Sequence, residues 1–352
     1  MTIQEILSMI QPADQAAMAA AAAHWDTVAH PLHSLGLLED AVVAMAGALG
    51  TADVRIEKRA VVAMCADNGV VAEGVTQSGQ EVTAIVAENM SRGTSSVCCM
   101  ARTANVRVVP VDIGMASDVT GHNILQKSVR RGTANLAVGP AMSREECETA
   151  ILHGVDVVRA LHREGYDLIA TGEMGIGNTT TSAALVSVLL GQDPETVTGR
   201  GAGLSSEGLR KKVDAIRRGI AVNQPNPQDP IDVISKVGGL DIAGLVGVFL
   251  GGALYHVPIL IDGLISSVAA LCAVRLCPPV KGYMVASHVS NEPAGRLVME
   301  TLGLEAPIHA RMALGEGTGA VALIPLLDMA LNLYHSMCSF EEYQIDAYVP
   351  LS

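Results

Sequence analysis

The stretch Gly172–Thr181, which reads GEMGIGNTTT, constrains the fold of this chain more than any other part of the sequence. The apolar run YDLIATG leads into it and the apolar run AALVSVLLG follows, an order that predicts a buried strand, a glycine-rich turn and a helix. The first backbone N–H groups of a helix lack partners and carry partial positive charge, so a helix N-terminus attracts anions. The stretch therefore predicts either a phosphate site or a tight turn whose glycines only permit close packing.

The spacing of two glycines in this stretch resembles a P-loop. Gly172 and Gly177 have the P-loop separation, but Asn178 occupies the position of the P-loop lysine. Our first interpretation is a phosphate cradle without nucleoside triphosphate chemistry. No GxGxxG pattern follows the first predicted strand, so a dehydrogenase would lack its cofactor motif.

The composition of the 352-residue chain excludes several classes of protein. Its residues are 49% hydrophobic but only 3% aromatic, and 35 are glycines, which favours small-residue helices on a parallel sheet. A net charge of −13 disfavours general binding to nucleic acid or to an anionic membrane. The seven cysteines are scattered without metal-ligand spacing, and the acidic N-terminus lacks the pattern of a signal peptide, so we expect a cytoplasmic protein with reduced thiols.

Alternating apolar runs and helical patterns predict the fold. We expect strands at 60–65, 106–113, 167–170, 257–261 and 282–286, with one helix over 81–101 and little regular structure over 114–140. The apolar segment 242–277 is interpreted as helix, strand and helix rather than as a membrane span, because His256, Pro258 and Asp262 interrupt it. The prediction is an α/β fold with a doubly wound, mostly parallel, Rossmann-like sheet.

Two regions follow from this pattern. Residues 26–321 hold all the predicted strands and form a large α/β catalytic domain. Residues 1–25 and 322–352 hold helical patterns without strands, so we expect them to pack together as a small helical domain built from both termini.

Polar or glycine-rich turns follow nearly every predicted strand, at 66–80, 112–114, 171–181, 262–263, 287–293 and 314–319. The carboxyl ends of parallel strands share one edge of a sheet, so these turns predict a single active site there.

Two glutamates are candidates for acid–base chemistry. Glu316 lies between Gly315 and Gly317 at a predicted helix entry, where it is either a general base or a helix-terminal side chain stabilised by the helix dipole. Glu173 has the same two interpretations. Lys212 follows the glycine-rich stretch 199–204 and either binds a phosphate or belongs to a solvated charge cluster.

Other polar residues near strand ends are less specific. Asp67, Asp112 and Asp262 either orient loops or bind a ribose or a metal. His288 and Ser290 could suggest a hydrolase, but the GxSxG motif is missing and a Ser-His-Asp triad is not expected.

Four motifs together identify a family. The segments GEMGIGNTTTSAA (172–184), GRGAGL (199–204), SHVSNEP (287–293) and LGEGTGA (314–320) resemble those of nicotinate-nucleotide:5,6-dimethylbenzimidazole phosphoribosyltransferases, and the likeness runs from about residue 30 to 335. The resemblance implies transfer of phosphoribose from nicotinate mononucleotide to an aromatic base, which gives an α-ribotide and nicotinate for the lower ligand of cobamides. It implies no metal and no cofactor, and a homodimer or a heterodimer with a related subunit.

The resemblance also implies roles for individual residues. Glu316 takes a proton from the attacking base, and Glu173 lies beside the nucleotide. The nucleotide and its phosphate are held by Gly175, Gly177, Asn178, Thr179, Gly201, Gly203, Lys212, Ser290 and Gly315.

The acceptor pocket is where this chain departs from its relatives. We assign Thr76, Ser78, Gln80 and Met174 to it. Many relatives have serine and proline where Thr76 and Gly79 stand in the loop GVTQSGQEVT (74–83). Phenol or p-cresol, attacking through oxygen, is therefore the alternative acceptor, and a non-catalytic regulatory subunit is the alternative from another class. Glu316 would serve either acceptor.

Overall fold

Six parallel strands form one sheet in the computed structural model, which describes residues 1–348. The strand order is β3-β2-β1-β4-β5-β6, and every neighbouring pair is parallel. This order is that of dinucleotide-binding folds, so the predicted Rossmann-like parallel sheet is confirmed. The strands are β1 (Arg59–Ala66), β2 (Val106–Gly114), β3 (Leu125–Gln126), β4 (Leu168–Met174), β5 (Ile259–Ile261) and β6 (Met284–Ala286).

Helices cover both faces of the sheet. Two short 3-10 helices cover Gly69–Glu73 and Pro278–Tyr283. The α-helices are α1 (Ile3–Met9), α2 (Gln15–Thr27), α3 (Leu37–Leu49), α4 (Glu81–Ser91), α5 (Ser96–Thr103), α6 (Arg144–Arg163), α7 (Asn178–Leu190), α8 (Pro194–Val197), α9 (Ser206–Asn223), α10 (Pro230–Val237), α11 (Leu240–Tyr255), α12 (Leu264–Leu276), α13 (Pro293–Leu302) and α14 (Thr318–Ser336).

Strand β1 shows how the two layers arise. Its side chains alternate between the faces, as they must in an extended chain. Val62 and Met64 join one hydrophobic cluster with α6, α11 and α12, whereas Val61 and Ala63 join a second cluster with α3, α5 and α14. Both faces are therefore buried, which explains why β1 is apolar from Ala60 to Ala66.

Helices α2 and α14 meet on one face of the sheet. Trp25 of α2 and Leu327 of α14 belong to the same cluster, and an antiparallel bridge joins Val28 to Ser339. Helix α1, by contrast, packs with α6 and α11 in the cluster on the other face. The division of the chain into two domains stays a prediction, and its residues 349–352 lie outside the described part.

One detail of the sequence-based prediction was wrong. The segment 114–140 has little regular structure, as predicted, since after the end of β2 its only strand or helix is the two-residue β3. Residues 81–101, however, form two helices, because Gly93 adopts a left-handed φ of 75° and the Ser95 hydroxyl accepts the N–H of Cys98 to start a new helix. By contrast, the apolar segment 242–277 is helix, strand and helix as predicted, and no helix within residues 1–348 combines the length and apolarity needed to cross a bilayer.

The strand order places a crevice at the centre of the sheet. β1 and β4 are neighbours, but the chain continues from them toward opposite edges. The loops that leave their carboxyl ends therefore diverge, and ligands bind at such switch points in α/β sheets.

Candidate active site

A cleft of about 380 Å³ opens at this crevice. It is lined by turns that leave β1, β4, β5 and β6 and by the turn before α14, so these predicted turns converge at one edge, whereas the predicted turn at 112–114 does not line the cleft. The predicted site residues among its walls are Thr76, Ser78, Glu173, Met174, Gly175, Gly177, Asn178, Thr179, Gly201, Ser290, Gly315 and Glu316. Gln80, Gly203 and Lys212 lie outside the lining.

The glycine-rich turn is the strand–turn–helix unit expected from the sequence. β4 ends at Met174, and Gly177 with a left-handed φ of 97° precedes α7. A Cβ on Gly175 would lie only 2.4 Å from Asp241 Oδ2 and 2.7 Å from the carbonyl oxygen of Ala66, so close packing requires glycine there. The N-terminus of α7 also faces the cleft, so packing and an anion site are compatible at this turn.

Lys212 is fully buried beneath this turn and is not part of a solvated charge cluster. Its ammonium group donates to Thr179 Oγ1 at 2.7 Å and to the carbonyl oxygen of Gly199 at 3.0 Å. Burial lowers the pKa of Lys212 to about 8, although the charge of Glu292 opposes the shift. Lys212 thus lies behind the cleft wall and contacts it by its hydrogen bond to Thr179, which lines the cleft.

Glu173 is buried at the end of β4. Its Oε2 accepts a hydrogen bond from the Asn178 amide, which also donates to Asp241 Oδ2 at 3.1 Å. Burial raises the pKa of Glu173 to about 8, and the neighbouring carboxylates Asp241, Asp262 and Glu316 add to this rise. The carboxyl group is therefore largely protonated at neutral pH.

Glu316 lies beside Glu173 in the glycine-rich turn before α14. A Cβ on Gly315 would lie 2.7 Å from Glu173 Oε1. Glu316 Oε2 accepts the N–H of Val97, which lies in the first turn of α5, at 3.0 Å. Its φ of 61° is left-handed, a conformation that a non-glycine residue keeps only where surrounding contacts hold it.

Asp262 supplies those contacts. Its carboxylate accepts the N–H groups of Gly319 at 2.7 Å, Ala320 at 3.0 Å and Gly317 at 3.2 Å, and so caps α14. In the same way, Asp67 Oδ2 accepts the N–H of Ala116 at 2.7 Å, and Asp112 Oδ1 accepts that of Met115 at 2.9 Å. The three aspartates therefore orient loops, and residues 1–348 contain no group of three or more His, Cys, Asp or Glu side chains placed to hold a metal ion.

Another wall of the cleft is the loop 74–80. The Thr76 hydroxyl donates to the carbonyl oxygen of Ser78 at 2.8 Å. Gln77 crosses to the other glycine-rich loop and donates to the carbonyl oxygens of Ala202, at 3.3 Å, and Gly203. Gln80 does not line the pocket as assigned, because its amide donates to the carbonyl oxygen of Asn68 at 3.1 Å.

His288 and Ser290 do not pair as a hydrolase would require. His288 is buried, and its Nδ1 lies 3.2 Å from Ser287 Oγ, whereas Ser290 Oγ accepts the backbone N–H of Glu292 at 3.3 Å. Both residues still line the cleft.

Sequence reasoning missed Asp241 and underrated the burial of Lys212. Asp241 is the only acid in the otherwise apolar start of α11, a position that could have drawn attention. Lys212 shares a helical stripe with the buried Gly208, Ala215 and Gly219, and this spacing indicates an inward side chain.

Comparison with known proteins identifies the family. A family model described as phosphoribosyltransferase matches residues 10–345. A nicotinate-nucleotide–dimethylbenzimidazole phosphoribosyltransferase of Acetivibrio thermocellus is 46% identical over 325 residues, 92% of this chain and 93% of its own length. One of the same name from Clostridium acetobutylicum is 42% identical over 351 residues, 100% of both chains.

A solved structure agrees with this result. The crystal structure of CobT from Thermus thermophilus superposes with a TM-score of 0.89 at 39% identity and covers 95% of this chain and 100% of that one. The chain is an enzyme that belongs to the family of nicotinate-nucleotide–dimethylbenzimidazole phosphoribosyltransferases.

Proposed function

We propose that this enzyme transfers phosphoribose from nicotinate mononucleotide to a benzimidazole-type base, and so activates the lower ligand of cobamides. The names of its relatives support both substrates. The observation that carries the proposal is the cleft that Glu316, the N-terminus of α7 and the loop 74–80 line together. The helix N-terminus suits a phosphate, the loop suits an aromatic acceptor, and Glu316 supplies a carboxylate to the same cleft.

The nucleotide belongs on the α7 side. The N–H groups of Asn178 and Thr180 are used within the turn, where they donate to the carbonyl oxygens of Gly175 and Gly177. Within residues 1–348, the N–H groups of Gly177 and Thr179 have no backbone partner in this turn, and we assign the phosphate to them. Lys212 adds positive charge through Thr179, and Gly201 and Gly203 complete the neighbouring loop. Ser290 and Gly315 line the path toward the ribose.

The acceptor belongs beside the loop 74–80. Thr76, Ser78 and Met174 line this wall, together with the apolar side chains of Val86 and Leu314. An apolar wall with a few hydroxyl groups suits a flat aromatic ring that carries one polar atom for attack.

The chemical step needs one base and good orientation. A ring nitrogen of the acceptor forms a bond to the ribose C1′, while the bond from C1′ to the pyridinium nitrogen breaks and its electron pair stays on nicotinate. The positive charge of the pyridinium ring is thereby neutralised, which makes nicotinate a good leaving group. Glu316 accepts the proton that the other ring nitrogen of the acceptor loses.

The products identify the acceptor directly. We would incubate the enzyme with nicotinate mononucleotide and, separately, 5,6-dimethylbenzimidazole, benzimidazole, phenol and p-cresol, and measure ribotides and nicotinate by mass spectrometry. We expect the benzimidazoles to give the faster turnover. If phenol or p-cresol gives ribotide faster, the proposal of a benzimidazole-type acceptor is contradicted. The phenolic acceptor suggested by Thr76 and Gly79 is then supported.

The absence of any ribotide would contradict the whole proposal and favour a regulatory subunit. The same panel, repeated with a co-expressed related subunit, would show whether a partner is needed. The cytoplasmic location and the dimer stay predictions from the sequence.

A further inference from the structure

Asp241 is a fully buried carboxylate that lies behind the cleft and has no role in the reaction described above. It stands in the first turn of α11, and the rest of that helix is apolar and buried over most of its length. An aspartate at such a position has to be held by hydrogen bonds, because an unpaired buried charge strongly destabilises a fold. Its Oδ1 accepts the N–H of Ile242 at 3.0 Å, and its Oδ2 accepts from Asn178.

The Asn178 amide joins two carboxyl groups. Its nitrogen has two N–H groups, and the structure pairs one with Glu173 Oε2 and one with Asp241 Oδ2. Both donors are thus used, and the side chain cannot rotate without losing one of them. Glu173 Oε1 is left on the side of Gly315, which lines the cleft.

Close backbone contacts hold Asp241 in place. A Cβ on Gly175 would lie 2.4 Å from Asp241 Oδ2, and one on Gly239 would lie 2.4 Å from Oδ1. Glycines in both neighbouring segments let the carboxylate reach the turn that precedes α7. This close approach indicates that Asp241 makes a specific hydrogen bond to Asn178 and does not merely pack in the core.

We propose that Asp241 is a positioning residue, which fixes the orientation of the Glu173 carboxyl group through the Asn178 amide and favours the protonated form of that group by its own negative charge. Only the kinetic consequence of this inference rests on the proposed function. The network, which is the set of hydrogen bonds among Glu173, Asn178 and Asp241, forms without substrate.

The charges around Glu173 explain why its carboxyl group is protonated. Glu173 is faced by Asp241 of α11, by Asp262 after β5 and by Glu316 before α14, and Cys65 of β1 faces both Glu173 and Asp241. All these groups are acids, so they favour one shared proton over two negative charges. Burial raises the pKa of Asp241 to about 6 and that of Glu173 to about 8, so the proton resides on Glu173.

A spectroscopic titration tests the inference without any substrate. The protonated carboxyl band that Glu173→Gln removes would be followed by infrared spectroscopy between pH 5 and 10. In Asp241→Asn, the loss of the neighbouring charge should lower the midpoint of this band by about one pH unit or more. Asp229→Asn is the matched control, because Asp229 also accepts N–H groups at the start of a helix, α10, but its side-chain partner is Arg144 rather than Asn178. Its midpoint should match that of the wild type.

A double-mutant cycle supplies the kinetic test. Asp241→Asn should lower kcat by about tenfold or more in the wild-type enzyme, but by less than about threefold in Glu173→Gln, because residues that act as a unit are non-additive. An unchanged midpoint in folded Asp241→Asn, or equal losses in both backgrounds, would overturn the inference and leave Asp241 a packing residue. If Asp241→Asn does not fold, Asp241→Ser keeps an oxygen at the helix start and gives the same comparison. A total lack of product would reject the proposed function, whereas the infrared result would still decide the role of Asp241.

Discussion

Gly172 of β4 packs directly against the backbone of Glu316, so that a Cβ on Gly172 would lie 2.5 Å from the Glu316 carbonyl oxygen. Gly172→Ala should therefore push the turn away from the sheet and misplace the proposed base. We expect the free energy of unfolding to fall by about 1–3 kcal/mol, as for other overpacked sites. We also expect kcat to fall more than KM rises.

Urea unfolding and steady-state kinetics would measure both effects. Gly139→Ala is the matched control, because nothing lies within 4 Å of a Cβ at Gly139. Wild-type kcat in Gly172→Ala would show that the contact does not position Glu316.

Replacing the proposed base should separate binding from chemistry. In Glu316→Gln, the side-chain oxygen can still accept the N–H of Val97, so the turn should stay in place. The amide cannot take a proton, and kcat should fall by about 10²–10⁴-fold. Calorimetric binding of nicotinate mononucleotide should stay close to that of the wild type, and unchanged turnover would remove Glu316 from the mechanism.

Nucleotide binding should be accompanied by proton uptake near pH 8. Burial lowers the pKa of Lys212 to about 8, so half of these side chains are neutral at that pH, and a phosphate beside Thr179 would restore their charge. The uptake, up to about half a proton per site, would be measured by calorimetry in two buffers of different ionisation enthalpy. Lys212→Met should abolish this component, whereas Lys211→Met, which removes an exposed side chain paired with Glu207, should keep it. Equal uptake in both variants would argue against the phosphate assignment.

The buried Glu173 carboxyl should make stability depend on pH. The pKa rises from 4.5 in the unfolded chain to about 8 in the folded protein, so the folded state binds more protons between these values. The contribution of Glu173 to stability is thus fully present below about pH 4.5 and is lost as pH rises to about 8. Glu173→Gln stays neutral and lacks this loss, so its free energy of unfolding relative to the wild type should increase by up to about 1.4 kcal/mol per pH unit in this range.

Urea titrations at pH 5, 6, 7 and 8 would show the difference, with the exposed Glu305→Gln as control. Parallel curves for Glu173→Gln and the wild type would mean that Glu173 is ionised in the folded enzyme.

The unit from Leu168 to Leu190 could be predicted from the sequence, because an apolar run, three glycines and a second apolar run restrict the backbone locally. The break at Gly93 was harder to predict, since the apolar pattern continues across it and only the left-handed glycine and the Ser95 cap end one helix and start the next. Local signals thus define element types better than they define boundaries.

The network of Glu173, Asn178 and Asp241 had no such signal. Asp241 is 63 positions from Asn178, and the contact exists only because α11 packs behind β1 and β4. The family resemblance pointed to Glu173 and Asn178, but the residue that holds them together could be found only from the packing.

The support of Glu316 by Asp262 and Gly172 has a consequence for how this enzyme can diversify. Gly172 lies in β4 and Asp262 directly follows β5, and neither belongs to the loop 74–80 that we assign to the acceptor. We therefore expect substitutions at Thr76, Ser78 or Gly79 to reshape the proposed acceptor pocket while the proposed base keeps its position. The residues that would select the acceptor are thus separate from those that hold the proposed base. We therefore expect that changes in one surface loop can alter the acceptor without disturbing the chemistry.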